Sequence, residues 1–134
     1  MKISSKGRYA VRIMTEIAKN TDKCVSVSDI ASSQNLSIKY TEQIINKLVK
    51  NKLLESFRGS LGGYKLCKPA QDYTIYQILK TTNDVPDLAP CMQKSCPRRS
   101  SCDTVGCWET LNSLIFDYLN HITLQDILDK NYKN

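Results

Sequence analysis

The chain carries one histidine, one tryptophan, two phenylalanines and five glycines in 134 residues. A lone histidine, His121, leaves no partner for an imidazole acid–base pair, and no catalytic Ser/His/Asp set is in view. The few glycines do not form a phosphate-cradling loop. Enzymatic chemistry is therefore not expected. No apolar run approaches the ~18 residues that a membrane span needs. The lysine-bearing N-terminus also lacks the apolar core of a signal peptide. The expectation is a soluble, cytoplasmic protein with no membrane partner, of a size for one compact domain or a small domain with a dimerisation arm.

Two features are in excess: six cysteines and a net charge of +6. They fall in different halves. Residues 1–80 hold 14 Lys or Arg against six Asp or Glu, a net +8, whereas residues 81–134 hold five against seven, a net −2. Cys24 and Cys67 stand alone in the basic part, while Cys91, Cys96, Cys102 and Cys107 crowd into 17 residues of the other. A basic excess suits a polyanion such as nucleic acid.

From Ser4 to Asn20 the residues Ala10, Ile13, Met14, Ile17 and Ala18 mark one face of an amphipathic helix, with Lys2, Lys6, Arg8 and Arg12 on the other side. Val27 to Gln34 follows as a short helix with a serine cap. Asn35 tolerates the left-handed conformation that ends a helix, and Ser37 can cap the next, which runs to Asn51. Two helices joined by so short a turn predict a helix-turn-helix. In the second, Ile38, Ile44, Ile45, Leu48 and Val49 are expected to be buried, with small Ala31 allowing close approach of the first helix. Lys39, Gln43, Asn46, Lys47 and Lys50 line the opposite face, an amide and ammonium stripe able to meet base edges and phosphates. A solvated face of an ordinary helical hairpin has the same pattern.

The next segment separates the two. Leu53–Arg58 and Tyr64–Cys67 read as short strands around Gly59-Ser60-Leu61-Gly62-Gly63, a wing whose glycines permit close approach to a backbone and whose Arg58 can enter a minor groove. A helix from Ile75 to Thr82 is expected behind the wing. Periodicity then lapses from Asn83 to Ser101, where Pro86, Pro90 and Pro97 indicate an ordered loop or linker. Trp108, Leu111, Ile115, Tyr118 and Ile122 form a heptad seam flanked by Leu114 and Leu119. It predicts a dimer helix, with packing inside one chain as the alternative, followed by a short Thr123-capped helix closing the dimer arm. Trp108 reads as a core anchor, Cys24 and Cys67 as packing residues, and His121 as structural or exposed.

The four clustered cysteines are spaced x4, x5 and x4 with no CxxC pair. Thiolates on a loop able to wrap around a centre suit an iron-sulfur cluster. Zinc and a metal-free disulfide switch remain alternatives on spacing. Cys102 and Cys107 flank a helix start, where N–H groups and the helix dipole favour thiolate.

The whole set resembles the Rrf-two family of winged helix-turn-helix regulators, and within it the IscR-like iron-sulfur branch. The resemblance is carried by Ser5-Lys6-Gly7-Arg8-Tyr9-Ala10-Val11 within Met1–Val11, by Ser37-Ile38-Lys39-Tyr40-Thr41-Glu42-Gln43, by Arg58-Gly59 with Gly62-Gly63-Tyr64, by three cysteines, and by Trp108 with Ile122-Thr123-Leu124. It implies a mainly α fold with a small β-wing and a long dimerisation helix. The units expected are a winged helix-turn-helix domain at 1–82, a cysteine-rich cluster loop at 83–102, and a dimerisation helix with its C-terminal helix at 103–134. It further implies a homodimeric regulator, with repression as the expected mode, that binds a palindromic operator in double-stranded DNA. Cluster status, oxygen, nitric oxide or iron would be sensed through a 2Fe–2S or 4Fe–4S cluster. Lys39, Tyr40, Glu42, Gln43, Lys47, Arg58, Gly62 and Gly63 would face DNA, and Cys91, Cys96 and Cys102 would hold the cluster. Two family ligands are missing: the histidine three residues after the third cysteine is Val105 here, and the N-terminal aspartate of nitric-oxide-sensing relatives is Arg8. Cys107 is the nearest thiol for the fourth position.

Overall fold

The computed structural model describes residues 2–84, 88–93 and 96–133, with the side chains of Pro90 and Gln93 left aside. Met1 and Pro86, both used in the sequence reading, lie outside the described residues. Helix α1 (Ser5–Ala18) is followed by α2 (Val27–Gln34), α3 (Ile38–Lys50), the strands β1 (Leu54–Phe57) and β2 (Gly63–Leu66), and α4 (Ile75–Lys80). The short α5 (Pro90–Gln93), the long α6 (Val105–His121) and α7 (Leu124–Leu128) complete the order. The fold is mainly helical with one two-stranded antiparallel sheet.

Local chemistry accounts for the boundaries. Ser4, Ser26 and Ser37 each cap a helix by accepting an N–H from the residue three ahead, satisfying donors that the first turn leaves orphaned. Asn35 takes the left-handed conformation, at φ 54° and ψ 50°, and ends α2. Ile13, Met14 and Ile17 of α1 are fully buried against Ile30, Ile44, Ile45, Leu48, Ile78 and Leu79, each contributing about 2 kcal/mol by leaving water. The strands pair Leu54 with Leu66 and Glu55 with Lys65, an apolar and an opposite-charge match.

Several expectations are corrected. Ile38 is 51% exposed, because it is the first residue after the Ser37 cap and faces outward; Thr41 takes the buried place instead, its hydroxyl donating to the Ser37 carbonyl at 2.9 Å. Helix α4 packs chiefly on α1 and α6 rather than behind the wing. Buried Tyr73 stands there, its hydroxyl donating to the Leu53 carbonyl (3.0 Å) and accepting the Lys68 N–H (2.8 Å). Helix α7 packs onto α1 and is tied down by a Thr74–Thr123 bridge, so it belongs to the body and does not close an arm. The heptad seam divides: Ile115, Tyr118, Leu119 and Ile122 join the core of their own chain, whereas Trp108, Leu111 and Leu114 remain exposed. Trp108 is thus no core anchor, being 42% exposed.

Candidate nucleic-acid interface and cysteine site

Helix α3 presents Lys39, Glu42, Gln43, Asn46 and Lys50 to solvent, with Lys47 half-buried. Tyr40 is also half-buried, because its ring meets Tyr9 edge-on at 5.9 Å between centroids. Arg12 lies over the other side of this support, 5.1 Å from the Tyr9 centroid. The same guanidinium donates to the Gln34 side-chain oxygen at 2.8 Å and to its carbonyl at 2.6 Å. Tyr9 and Arg12 therefore fix α3 and the end of α2 to α1. Helical periodicity offers no sign of this support, since Tyr9 and Tyr40 lie on different elements.

In the wing, Gly62 N–H closes the turn on the Gly59 carbonyl at 3.0 Å, leaving Arg58 and Leu61 exposed. The glycines answer to the protein's own backbone. A side-chain carbon at Gly62 would strike the Phe57 carbonyl oxygen. Gly63, at φ 144°, lies where such a carbon would fall 2.5 Å from the Val25 carbonyl oxygen. Val25 and Tyr64 exchange both backbone hydrogen bonds at this point, at 3.0 and 2.9 Å.

Cys91 on α5, Cys96 and Cys102 line one small cavity of about 80 Å³, together with Arg99, Thr104, Val105 and Trp108. Cys107, in the first turn of α6, is exposed and does not line it. The Thr104 hydroxyl lies 3.5 Å from the Cys102 sulfur, and this contact, with the N–H groups of Thr104 and Val105, holds the thiol below its usual pKa. Arg99 pairs with Glu109, bracing the cysteine segment against α6. Among the described residues no three Cys, His, Asp or Glu side chains are already closed around a metal position. Three soft donors sharing a cavity, with a guanidinium nearby to offset thiolate charge, nevertheless match an iron-sulfur cluster in donor chemistry.

The other thiols lie on the winged-helix body. Cys24 is half-buried, and Cys67, expected to pack, is exposed one residue beyond β2, its pKa raised by the partial desolvation its sulfur does experience and then by Glu55. His121 is exposed near the far end of α6, its Nδ1 2.6 Å from the Asp117 carbonyl.

A family model described as Rrf2, iron-dependent transcriptional regulator, matches residues 3–130. The chain belongs to the Rrf2 family. The transcriptional regulator IscR of Vibrio vulnificus is 38% identical over 133 residues, which span 98% of this chain and 79% of that protein. Among solved structures, IscR of T. potens matches at TM-score 0.77 with 32% identity, over 97% of this chain and 88% of that one. CymR of B. subtilis, titled the global cysteine regulator, matches at TM-score 0.81 with 29% identity, over 100% and 99%. The protein is thus an Rrf2-family transcriptional regulator of IscR-like kind, and its fold is that of the family's winged-helix members. Among the described residues no helix is long and apolar enough to cross a membrane.

Proposed function

We propose that this regulator binds a palindromic operator as a homodimer, inserting α3 and the wing, and that its affinity answers to an iron-sulfur cluster, of the 2Fe–2S or 4Fe–4S type, held by Cys91, Cys96 and Cys102. The observation that carries this reading is the shared cavity of those three thiols beside the first turn of α6. In this reading Lys39, Glu42, Gln43 and Lys47 read a major groove and Arg58 enters the adjacent minor groove; the exposure of Lys39, Glu42, Gln43 and Arg58 and the support of α3 by Tyr40 favour it. The +8 carried by residues 1–80 supplies phosphate attraction and a steep salt dependence. Exposed Trp108, Leu111 and Leu114 provide an apolar face for the second copy. Repression is the mode proposed.

When bound, the cluster supplies metal–thiolate bonds whose loss or gain changes with iron and redox conditions. The chain's own residues gather its ligands: Thr104 favours the Cys102 thiolate, Arg99 ties the loop to Glu109, and Val105 with Trp108 forms the apolar part of the cavity wall. Cys107, in the first turn of α6 but outside the cavity wall, is the reserve fourth ligand. A few kcal/mol of differential binding suffices to move such a switch from mostly off to mostly on.

A second reading, a thiol switch without metal, is favoured by the exposure and depressed pKa of Cys102. Protein purified without air separates the two. A brown preparation containing iron and acid-labile sulfide, with different operator affinity before and after cluster removal at equal salt, is the expected result. A colourless preparation, or equal affinities, overturns the cluster reading. Unchanged cluster content in Cys107→Ala removes Cys107 from the site.

A further inference from the structure

Asp84 stands where the winged-helix body ends and the cysteine segment begins. Its place is set by the end of α4: Asn83 adopts the left-handed conformation at φ 60°, its N–H bonds the Lys80 carbonyl (3.2 Å), and the Asp84 N–H reaches back to Leu79 (3.1 Å). This double closure of a helix end turns the Asp84 side chain toward the start of α1. There the carboxylate accepts the Ser4 N–H at 3.1 Å and the Ser4 hydroxyl, while the Thr82 hydroxyl donates from its own side at 2.9 Å. The Gly7 N–H adds to the same field. An anion at a helix N-terminus is favoured by the helix dipole and by the unpaired N–H groups of the first turn.

Gly7 shows that the approach is a built feature. Its backbone is ordinary helix, so no unusual dihedral calls for glycine, and glycine inside a helix costs roughly 1 kcal/mol against alanine. What it provides is space: a side-chain carbon at Gly7 would collide with the Asp84 carboxylate. The Ser4 and Gly7 positions and Asp84 therefore form one device, linking residues 80 apart in sequence. Helix α1 is also the element that carries Tyr9 and Arg12, which support Tyr40 of α3 and Gln34 of α2.

We propose that Asp84 is a positioning residue for operator binding: its carboxylate seats the first turn of α1 on the end of α4, and α1 in turn holds the angle of α3 through Tyr9 and Arg12. The inference rests on the reading of α3 as the DNA-binding element. It makes the Asp84 contact a determinant of specific, not of non-specific, affinity, because Asp84 touches none of the cations that meet phosphate.

The test uses the full chain. A duplex is selected from a random pool by the wild type. Affinities for it and for an unrelated duplex are then measured at several salt concentrations for wild type, Asp84→Ala, Gly7→Ala, the double variant and the near-isosteric Asp84→Asn. Asp84→Ala and Gly7→Ala are each expected to lose roughly tenfold in specific affinity, within the usual span of coupling effects. Non-specific affinity and its salt slope should stay at wild-type values. The double variant is expected to be no worse than either single, since both disengage one contact. If Asp84→Ala does not fold, Asp84→Asn, which retains an acceptor oxygen, should show a smaller loss of the same selective kind. A wild-type ratio of specific to non-specific affinity in folded Asp84→Ala or Asp84→Asn overturns the proposal, as does an equal fall in both affinities. Failure of the wild type itself to select any duplex overturns the DNA-binding reading and this inference with it, and is recognisable because no variant is involved.

Discussion

Replacing Gly63 by alanine tests whether the wing glycines serve the fold or the ligand. At φ 144° the backbone of Gly63 lies in a region that costs an L-residue about 1–3 kcal/mol. The new carbon would also sit 2.5 Å from the Val25 carbonyl oxygen, 2.7 Å from its carbon and 3.0 Å from the Ser26 nitrogen. These are backbone atoms and cannot rotate aside. Relief requires β2 to withdraw from Val25, giving up the paired Val25–Tyr64 hydrogen bonds, each worth roughly 1 kcal/mol net. Together the terms come to about 3–5 kcal/mol, a large part of the 5–15 kcal/mol that holds a domain folded. With a urea slope of about 2 kcal/mol per molar, the unfolding midpoint of Gly63→Ala should fall by roughly 2 M. Circular dichroism against urea is the assay, paired with duplex binding in the absence of denaturant. A wild-type midpoint combined with lost binding would refute the steric reasoning and show that the glycine is kept for the approach of DNA.

Two more outcomes follow from named residues. In iron-free protein at neutral pH, iodoacetamide should label Cys102 well before Cys67. The Thr104 contact lowers the first thiol's pKa and so raises its thiolate fraction, whereas partial desolvation and Glu55 raise the second's; peptide mass mapping over time checks the order, and faster labelling of Cys67 would contradict it. Leu114→Lys should leave the melting of the monomer within about 0.5 kcal/mol, since Leu114 is 62% exposed, but should weaken self-association at least tenfold in sedimentation. Unaltered dimerisation would remove this stretch of α6 from the interface.

The elements legible in the sequence are those set by neighbours a few residues apart. Ser37, Asn35 and the strand pair around the wing acted as their local chemistry requires. Ile38 and Thr41 went the other way for an equally local reason, because a threonine whose hydroxyl is satisfied by the Ser37 carbonyl can be buried without cost while a residue at the cap is turned outward. The seam of α6 was visible, yet a heptad period is the same whether its partner is another chain or the chain's own core. Leu119 and Ile122 found the core; Trp108, Leu111 and Leu114 did not. The cysteines were visible as a group, and the folded arrangement adds which of them share a cavity: 91, 96 and 102, with Val105 rather than Cys107 in the wall.

Glycine illustrates the same division most sharply. In a sequence it marks a place where something comes too close for a side chain, without naming what comes. Gly62 and Gly63 suggested the approach of a DNA backbone; the atoms that fill the space are the carbonyls of Phe57 and Val25. Gly7, in the Ser5-Lys6-Gly7-Arg8 stretch, looked like part of a helix with a basic face; the occupant is the carboxylate of Asp84, far along the chain. Both glycines in contact with distant segments thus sit at joints between elements: Gly63 where the wing meets Val25 ahead of α2, Gly7 where α1 meets the end of α4. On the DNA-binding reading proposed above, the basic residues supply attraction to any duplex, and these tight contacts supply the fixed geometry with which α3 and the wing prefer one duplex to another.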